Sequence, residues 1–105
     1  MPTEFAKLGR FTDVALLILV SLAGGEKHGY AMIEDIHLFS GTLLEPGTLY
    51  GALLRLERQG WITSQPAEDR RRPYTITPAG MEALQAGLET LRRIASTGAT
   101  RVVLA

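Results

Sequence analysis

Apolar positions along this chain change rhythm several times, and each change marks a new element. The run Val14, Ala15, Leu16, Leu17, Ile18, Leu19, Val20, Ser21, Leu22 is apolar nearly all round, which predicts a helix buried on more than one side. Thr12 or Asp13 can cap its start, and Gly24-Gly25 stop it. From about Gly29 to Ser40, residues Tyr30, Ile33, Ile36 and Phe39 fall at helical spacing, with Gly41 as terminator. Residues 46–60 form the best-marked helix. Pro46 suits a first turn, where no amide hydrogen is needed, and Gly60 can take the left-handed conformation that closes a helix. At about 3.6 residues per turn, Leu49, Ala52, Leu53 and Leu56 gather on one side, while Gly47, Thr48, Gly51, Leu54, Arg55 and Arg58 gather on the other.

After Gly60 the runs become short, β-branched and aromatic: Trp61-Ile62-Thr63-Ser64 and Tyr74-Thr75-Ile76-Thr77, separated by a polar, proline-bounded stretch. They predict a β-hairpin whose tip carries Arg70, Arg71 and Arg72. Helical rhythm then returns. Thr77 caps, Pro78 takes the first position, and Met81, Leu84, Leu88, Leu91 and Ala95 alternate in steps of three and four, the heptad spacing of a helix that seeks a partner. Packing against its own domain is the competing fate of such a stripe. The first helix, with Leu16 and Leu19, is expected to join the same interface. Helix, helix, helix, hairpin is the order of a winged helix-turn-helix. The expected architecture is therefore mainly α with a small β-hairpin (α+β), in one domain. A winged helix-turn-helix occupies residues 10–77, a dimerisation helix 78–95, and a looser tail 96–105.

The polar face of the third helix carries a hydroxyl and two guanidiniums over a surface thinned by two glycines, which suits a helix entering a groove about 12 Å wide. Thr48, Arg55 and Arg58 are the candidates for DNA base edges, since an arginine can bond a guanine with both of its terminal nitrogens. Tyr50, Lys27 and Arg70 to Arg72 are the candidates for backbone phosphates. Taken alone, the helix could equally be a surface helix with solvated arginines, and the loop a solvated loop. Their succession favours DNA.

The ordered set Leu17 to Leu22, His28-Gly29-Tyr30, Pro46-Gly47-Thr48-Leu49-Tyr50, Leu53 through Leu56-Glu57, Gly60 to Ile62, and Tyr74-Thr75-Ile76-Thr77-Pro78-Ala79-Gly80 resembles PadR-like transcriptional regulators, over roughly residues 12–95. The resemblance implies a homodimeric winged-helix repressor. Its third helix would enter the major groove of double-stranded DNA, its wing would touch the backbone, and its C-terminal helix would dimerise. The segment beyond Gly80 is short, as in the subfamily that ends in one helix. A symmetric dimer would set two such helices about 34 Å apart on an inverted-repeat operator. Two positions depart from the pattern: Gly51, where many relatives carry a bulkier residue or proline, and Leu54, apolar on a face read as exposed. Relatives that release DNA on binding planar aromatics can use a tryptophan on the dimerisation helix, and none stands after Pro78. Trp61, the sole tryptophan, is read as core. Any effector, small and aromatic or apolar, would instead meet Leu84, Leu88, Leu91 and first-helix side chains across the dimer.

Composition narrows the remaining classes. With 105 residues, eleven basic against eleven acidic, and a pI near 6.7, the chain is not an indiscriminate polycation, so any nucleic-acid binding must come from local placement of charge. From Arg55 to Arg72 the basic residues outnumber the acidic ones. The absence of cysteine excludes disulfides and fits a reducing cytoplasm. No segment approaches the ~20 apolar residues of a membrane helix. Lys7 and Arg10 ahead of residues 14–23 mimic a signal peptide, but cleavage would delete a helix the fold needs, and Asp13 interrupts the approach. Two histidines and adjacent carboxylate pairs that point apart give no catalytic constellation, and neither His28 nor His37 has a metal-ligand spacing. His28 reads as a cap or turn contact, and His37 as surface. No enzyme, metal or cofactor is expected. The alternative from another class keeps the fold and drops the DNA, with the arginine loop docking an acidic protein.

Overall fold

The computed structural model describes residues 14–66 and 72–105. Their elements are α1 (Val14–Ala23), α2 (Gly29–Ser40), α3 (Pro46–Gln59), β1 (Ile62–Ser64), β2 (Tyr74–Ile76) and α4 (Pro78–Leu104). Thr12 and Asp13, the expected caps of α1, lie outside the described residues, as do Arg70 and Arg71. α1 is the hub. It touches α2, α3, α4 and β2, and a helix approached from several sides has to be apolar on several sides. Leu17, Ile18, Leu19 and Leu22 are buried in one cluster with Met32, Ile36, Leu49, Leu53 and Ile62. Ser21, also buried, donates to Asp35 Oδ2 of α2 at 2.7 Å, which satisfies its hydroxyl.

α2 has the expected bounds but a different buried stripe. Gly29, Met32 and Ile36 face the core, whereas Tyr30 is 69% exposed and Phe39 is also exposed. Each step of three residues advances a helix by about 300°, so a series at strict threes drifts across the surface and its ends leave the core face. Met32, four residues before Ile36, takes the place given to Tyr30.

α3 begins with Pro46 and ends on Gly60, whose φ of 82° lets its amide donate back to Leu56 O and Glu57 O. β1 and β2 then pair antiparallel, Ile62 with Ile76, Thr63 with Thr75 and Ser64 with Tyr74. The wing has a third participant, since Lys27 forms an isolated antiparallel bridge with Tyr74. α4 opens on a working cap, the Thr77 hydroxyl accepting from the Gly80 amide at 3.1 Å. It then continues past Ala95, where the sequence suggested an end, and reaches Leu104 after 27 residues. Nothing in residues 96–104 stops a helix. The stretch holds no proline, and the Thr100 hydroxyl bonds back to Ser96 O at 3.1 Å.

Candidate nucleic-acid interface

The two faces of α3 separate as the spacing requires. Leu49, Ala52, Leu53 and Leu56 are buried, while Gly47, Thr48, Arg55 and Arg58 are exposed. The glycines matter here for the room they leave. A methyl group at Gly47 would meet nothing within 4 Å, and at Gly51 it would meet only the Arg55 guanidinium, at 3.9 Å. Arg55 therefore folds back one turn along the helix over Gly51. Leu54 is 49% exposed, so its apolar side chain belongs to the outer face and not to the core.

Tyr50 joins this face to α2. Its hydroxyl and ring lie against Gly29, where an added methyl would overlap them, so the tyrosine covers the first turn of α2 only because residue 29 has no side chain. Tyr50 keeps 42% of its surface exposed. His28 takes the N-cap position of α2 in extended conformation without making a side-chain cap bond, and its buried Nδ1 has no partner among the described residues.

The wing is fixed to α3 at its base. Ser64 Oγ donates to Glu57 Oε2 at 2.7 Å, and the Thr63 and Thr75 hydroxyls bond across the strands at 3.0 Å. Tyr74 is buried between wing and helices. Burial pushes its phenol above the usual tyrosine value, the nearby Glu57 carboxylate and Tyr50 add to the rise, and the Arg72 guanidinium opposes it. Of the three wing arginines, Arg72 is described and exposed, while Arg70 and Arg71 lie outside the described residues.

Lys27 is placed differently from the sequence expectation. Its ammonium turns inward, donating to Ser21 O at 2.6 Å and to Gly25 O at 3.3 Å, and it stands 3.9 Å from Asp35 Oδ2. The Ser21 carbonyl, in the last turn of α1, accepts from the Gly24 amide at 3.2 Å as well as from the Lys27 ammonium, and the partial negative charge of a helix C-terminus favours a cation there.

Residues 18–86 match the profile of the transcriptional regulator PadR-like family, about two thirds of the chain. The chain belongs to the PadR-like family. Over 85 residues it is 41% identical to an uncharacterised 37.1 kDa protein in transposon Tn4556 of Streptomyces fradiae, covering 81% of this chain and 25% of that protein. It spans a quarter of that relative's length. It is 38% identical to the transcriptional regulator Rv3488 of Mycobacterium tuberculosis over 78% of both chains. Among solved structures it resembles a transcriptional regulator from Clostridium thermocellum (31% identity, TM-score 0.73, 80% of this chain and 87% of that one). It also resembles a PadR family transcription regulator from Clostridium difficile (26% identity, TM-score 0.73, 80% and 92%). The winged-helix arrangement is thus that of PadR-like proteins, whose members are transcriptional regulators and not enzymes, and the family implies DNA binding.

The residues expected at the dimer surface differ in how far the single chain buries them. Leu19 and Leu84, 2% and 4% exposed, are already consumed by the core of the single chain. Leu16 is half-buried beside Gly87 of α4. Met81, Leu88 and Leu91 are exposed, and the stripe continues beyond them through Ala95 and Gly98 to Val102 at the same alternation. An open apolar recess of 360 Å³ lies at the far end of α4, lined by Ala99, Thr100, Val103 and Leu104, and not beneath Leu84, Leu88 and Leu91. Sequence reasoning missed the Glu57 tie to the wing and the Ser21–Asp35–Lys27 cluster. One signal was available: a serine within an otherwise apolar helix needs a polar partner. Among the described residues no helix is long and apolar enough to cross a membrane, and no group of His, Asp and Glu gathers to hold a metal.

Proposed function

We propose that this chain is a cytoplasmic repressor that works as a homodimer on an inverted-repeat operator, each α3 reading one half-site. The observation that carries this reading is the outer face of α3. Thr48, Arg55 and Arg58 are exposed above two glycines that present no side chain, opposite a face that is fully buried. Such a helix can approach base edges closely, and its guanidiniums match the acceptors of guanine in the major groove. Tyr50 on one flank and Arg72 on the wing supply polar groups suited to phosphate. The apolar strip of α4 supports pairing, because a row of exposed leucines at heptad spacing is covered most economically by a second identical helix. A small apolar or aromatic effector would meet the dimer along that strip.

The test is a titration of the protein with a duplex carrying the inverted repeat upstream of its own gene, at two salt concentrations, beside a random duplex. Selective binding that weakens steeply with salt is expected. Absence of binding even at low salt would transfer the arginine loop to a protein partner and end the DNA reading.

A further inference from the structure

The connection between α1 and α2 does two things at one residue. The backbone of Lys27 pairs with Tyr74 of the wing in both directions, its N–H donating to Tyr74 O at 3.2 Å and its carbonyl accepting from the Tyr74 amide at 3.0 Å. Its side chain runs the other way, bonding the carbonyls of Ser21 and Gly25 and standing 3.9 Å from the Asp35 carboxylate. That same Asp35 oxygen accepts from buried Ser21 at 2.7 Å. A single residue therefore connects the end of α1, the middle of α2 and the inner strand of the wing.

We propose that Ser21, Lys27 and Asp35 form a latch that sets the wing against the helical core, so that Lys27 serves DNA binding as a positioning residue and not as a phosphate contact. The inference rests on the DNA-binding reading above. A two-stranded ribbon with three residues per strand has little stability of its own, so the direction of the wing depends on what anchors its base. On the α3 side the anchor is Glu57 with Ser64. On the α1 side it is the backbone of Lys27, which comes directly after Gly24, Gly25 and Glu26, a connection whose two glycines add no stiffness. The ammonium supplies the missing restraint by closing on the carbonyl end of α1, and Asp35 balances its charge.

Charge separates the two roles of Lys27. Replacing Asp35 by asparagine removes a negative charge, and through Coulomb attraction alone that change tightens binding to a polyanion. The latch requires the opposite. Operator affinity and its salt dependence would be measured for the full chain and for D35N, K27M, K27R and K27M/D35N, together with amide hydrogen exchange without DNA. D35N and K27M should each weaken operator binding roughly threefold to tenfold, with the double variant little worse than either, because both break one unit. K27R should recover most of the loss, and the amides of Lys27 and Tyr74 should exchange faster in D35N while those of buried α3 residues stay slow. S21A, which keeps both charges, is the second variant should D35N fail to fold. Tighter or unchanged binding by D35N, or unchanged exchange at Tyr74, overturns the latch. So does a K27M protein that loses about one unit of salt slope with its wing amides unaltered, since Lys27 is then a direct contact. Because exchange is read without DNA, a protein that binds no duplex defeats the functional reading while the latch itself is still decided.

Discussion

Gly51 puts stability and function in opposition at one residue. In the middle of a helix a glycine costs roughly 0.5–1 kcal/mol relative to alanine, because its backbone loses more freedom on folding. Space does not require it here, since an added methyl would meet only the Arg55 guanidinium, at ordinary contact distance. Gly51→Ala should therefore raise unfolding free energy by about 0.5–1 kcal/mol in urea titrations. If α3 lies in a groove, the same methyl occupies the approach of the helix to the base pairs and displaces Arg55, so operator affinity should fall while the protein becomes more stable. A variant that gains stability and binds as before would remove Gly51 from the interface. Gly29 is the contrasting case. There the absent side chain is filled by Tyr50 of another helix, and an alanine would drive the tyrosine out.

The wing is held by its base, and its strands are joined by an arginine-bearing segment; the two parts give separate expectations. Removing Arg71 and Arg72 together should weaken operator and random duplexes alike and flatten the salt dependence by about one unit per lost phosphate contact. Binding to both duplexes that survives unchanged would take the wing away from DNA. At the base, the neutral Tyr74 phenol is favoured by burial and by Glu57, so its ionisation lies above the usual 10.0. Below that value both folded and unfolded chains hold the proton, and Tyr74 adds no pH dependence. As pH rises past it the unfolded chain ionises first, so stability falls through the alkaline range until the folded phenol also ionises. Tyr74→Phe should remove that alkaline loss in denaturation profiles recorded from pH 8 upward. How far such elements could be read from sequence depends on where their determinants lie. α3 was legible because Pro46, Gly60 and its two faces are all written within one segment. α2 was legible in extent but not in facing, because Met32 and Tyr30 compete for the core and only packing against α1 and α3 decides between them. The far half of α4 was obscured by its β-branched residues, which weaken helix propensity without forbidding it. The inward turn of Lys27 depends on Asp35 and Tyr74, neither of them a sequence neighbour, and no local pattern announces it.

At the scale of the molecule, α4 extends beyond what the other described residues cover. A helix of 27 residues is about 40 Å long. The described residues extend 54 Å along their longest axis but only 27 and 20 Å along the others. Leu84 still packs in the core, whereas Leu88, one helical turn further, is exposed among the described residues, as are Leu91, Ile94 and Val102 after it. If α4 pairs with a second copy as proposed, the boundary between folding and pairing falls between Leu84 and Leu88, and the same substitution on either side of it should give different failures. Leu84→Asp places an unpaired carboxylate in the core and should cost several kcal/mol, seen as a low melting temperature or loss of folded protein. Leu88→Asp leaves the core untouched and should yield a folded protein that sediments as a monomer. Two half-sites bound by one dimer act at a high effective concentration, so the monomer should lose affinity for the inverted repeat by orders of magnitude while retaining weak, salt-sensitive binding to a single half-site. A Leu88→Asp protein that remains dimeric would move the interface off the leucine stripe. One that becomes monomeric yet grips the full operator as tightly as the parent would sever pairing from recognition, and the two copies of α3 would no longer need to act together.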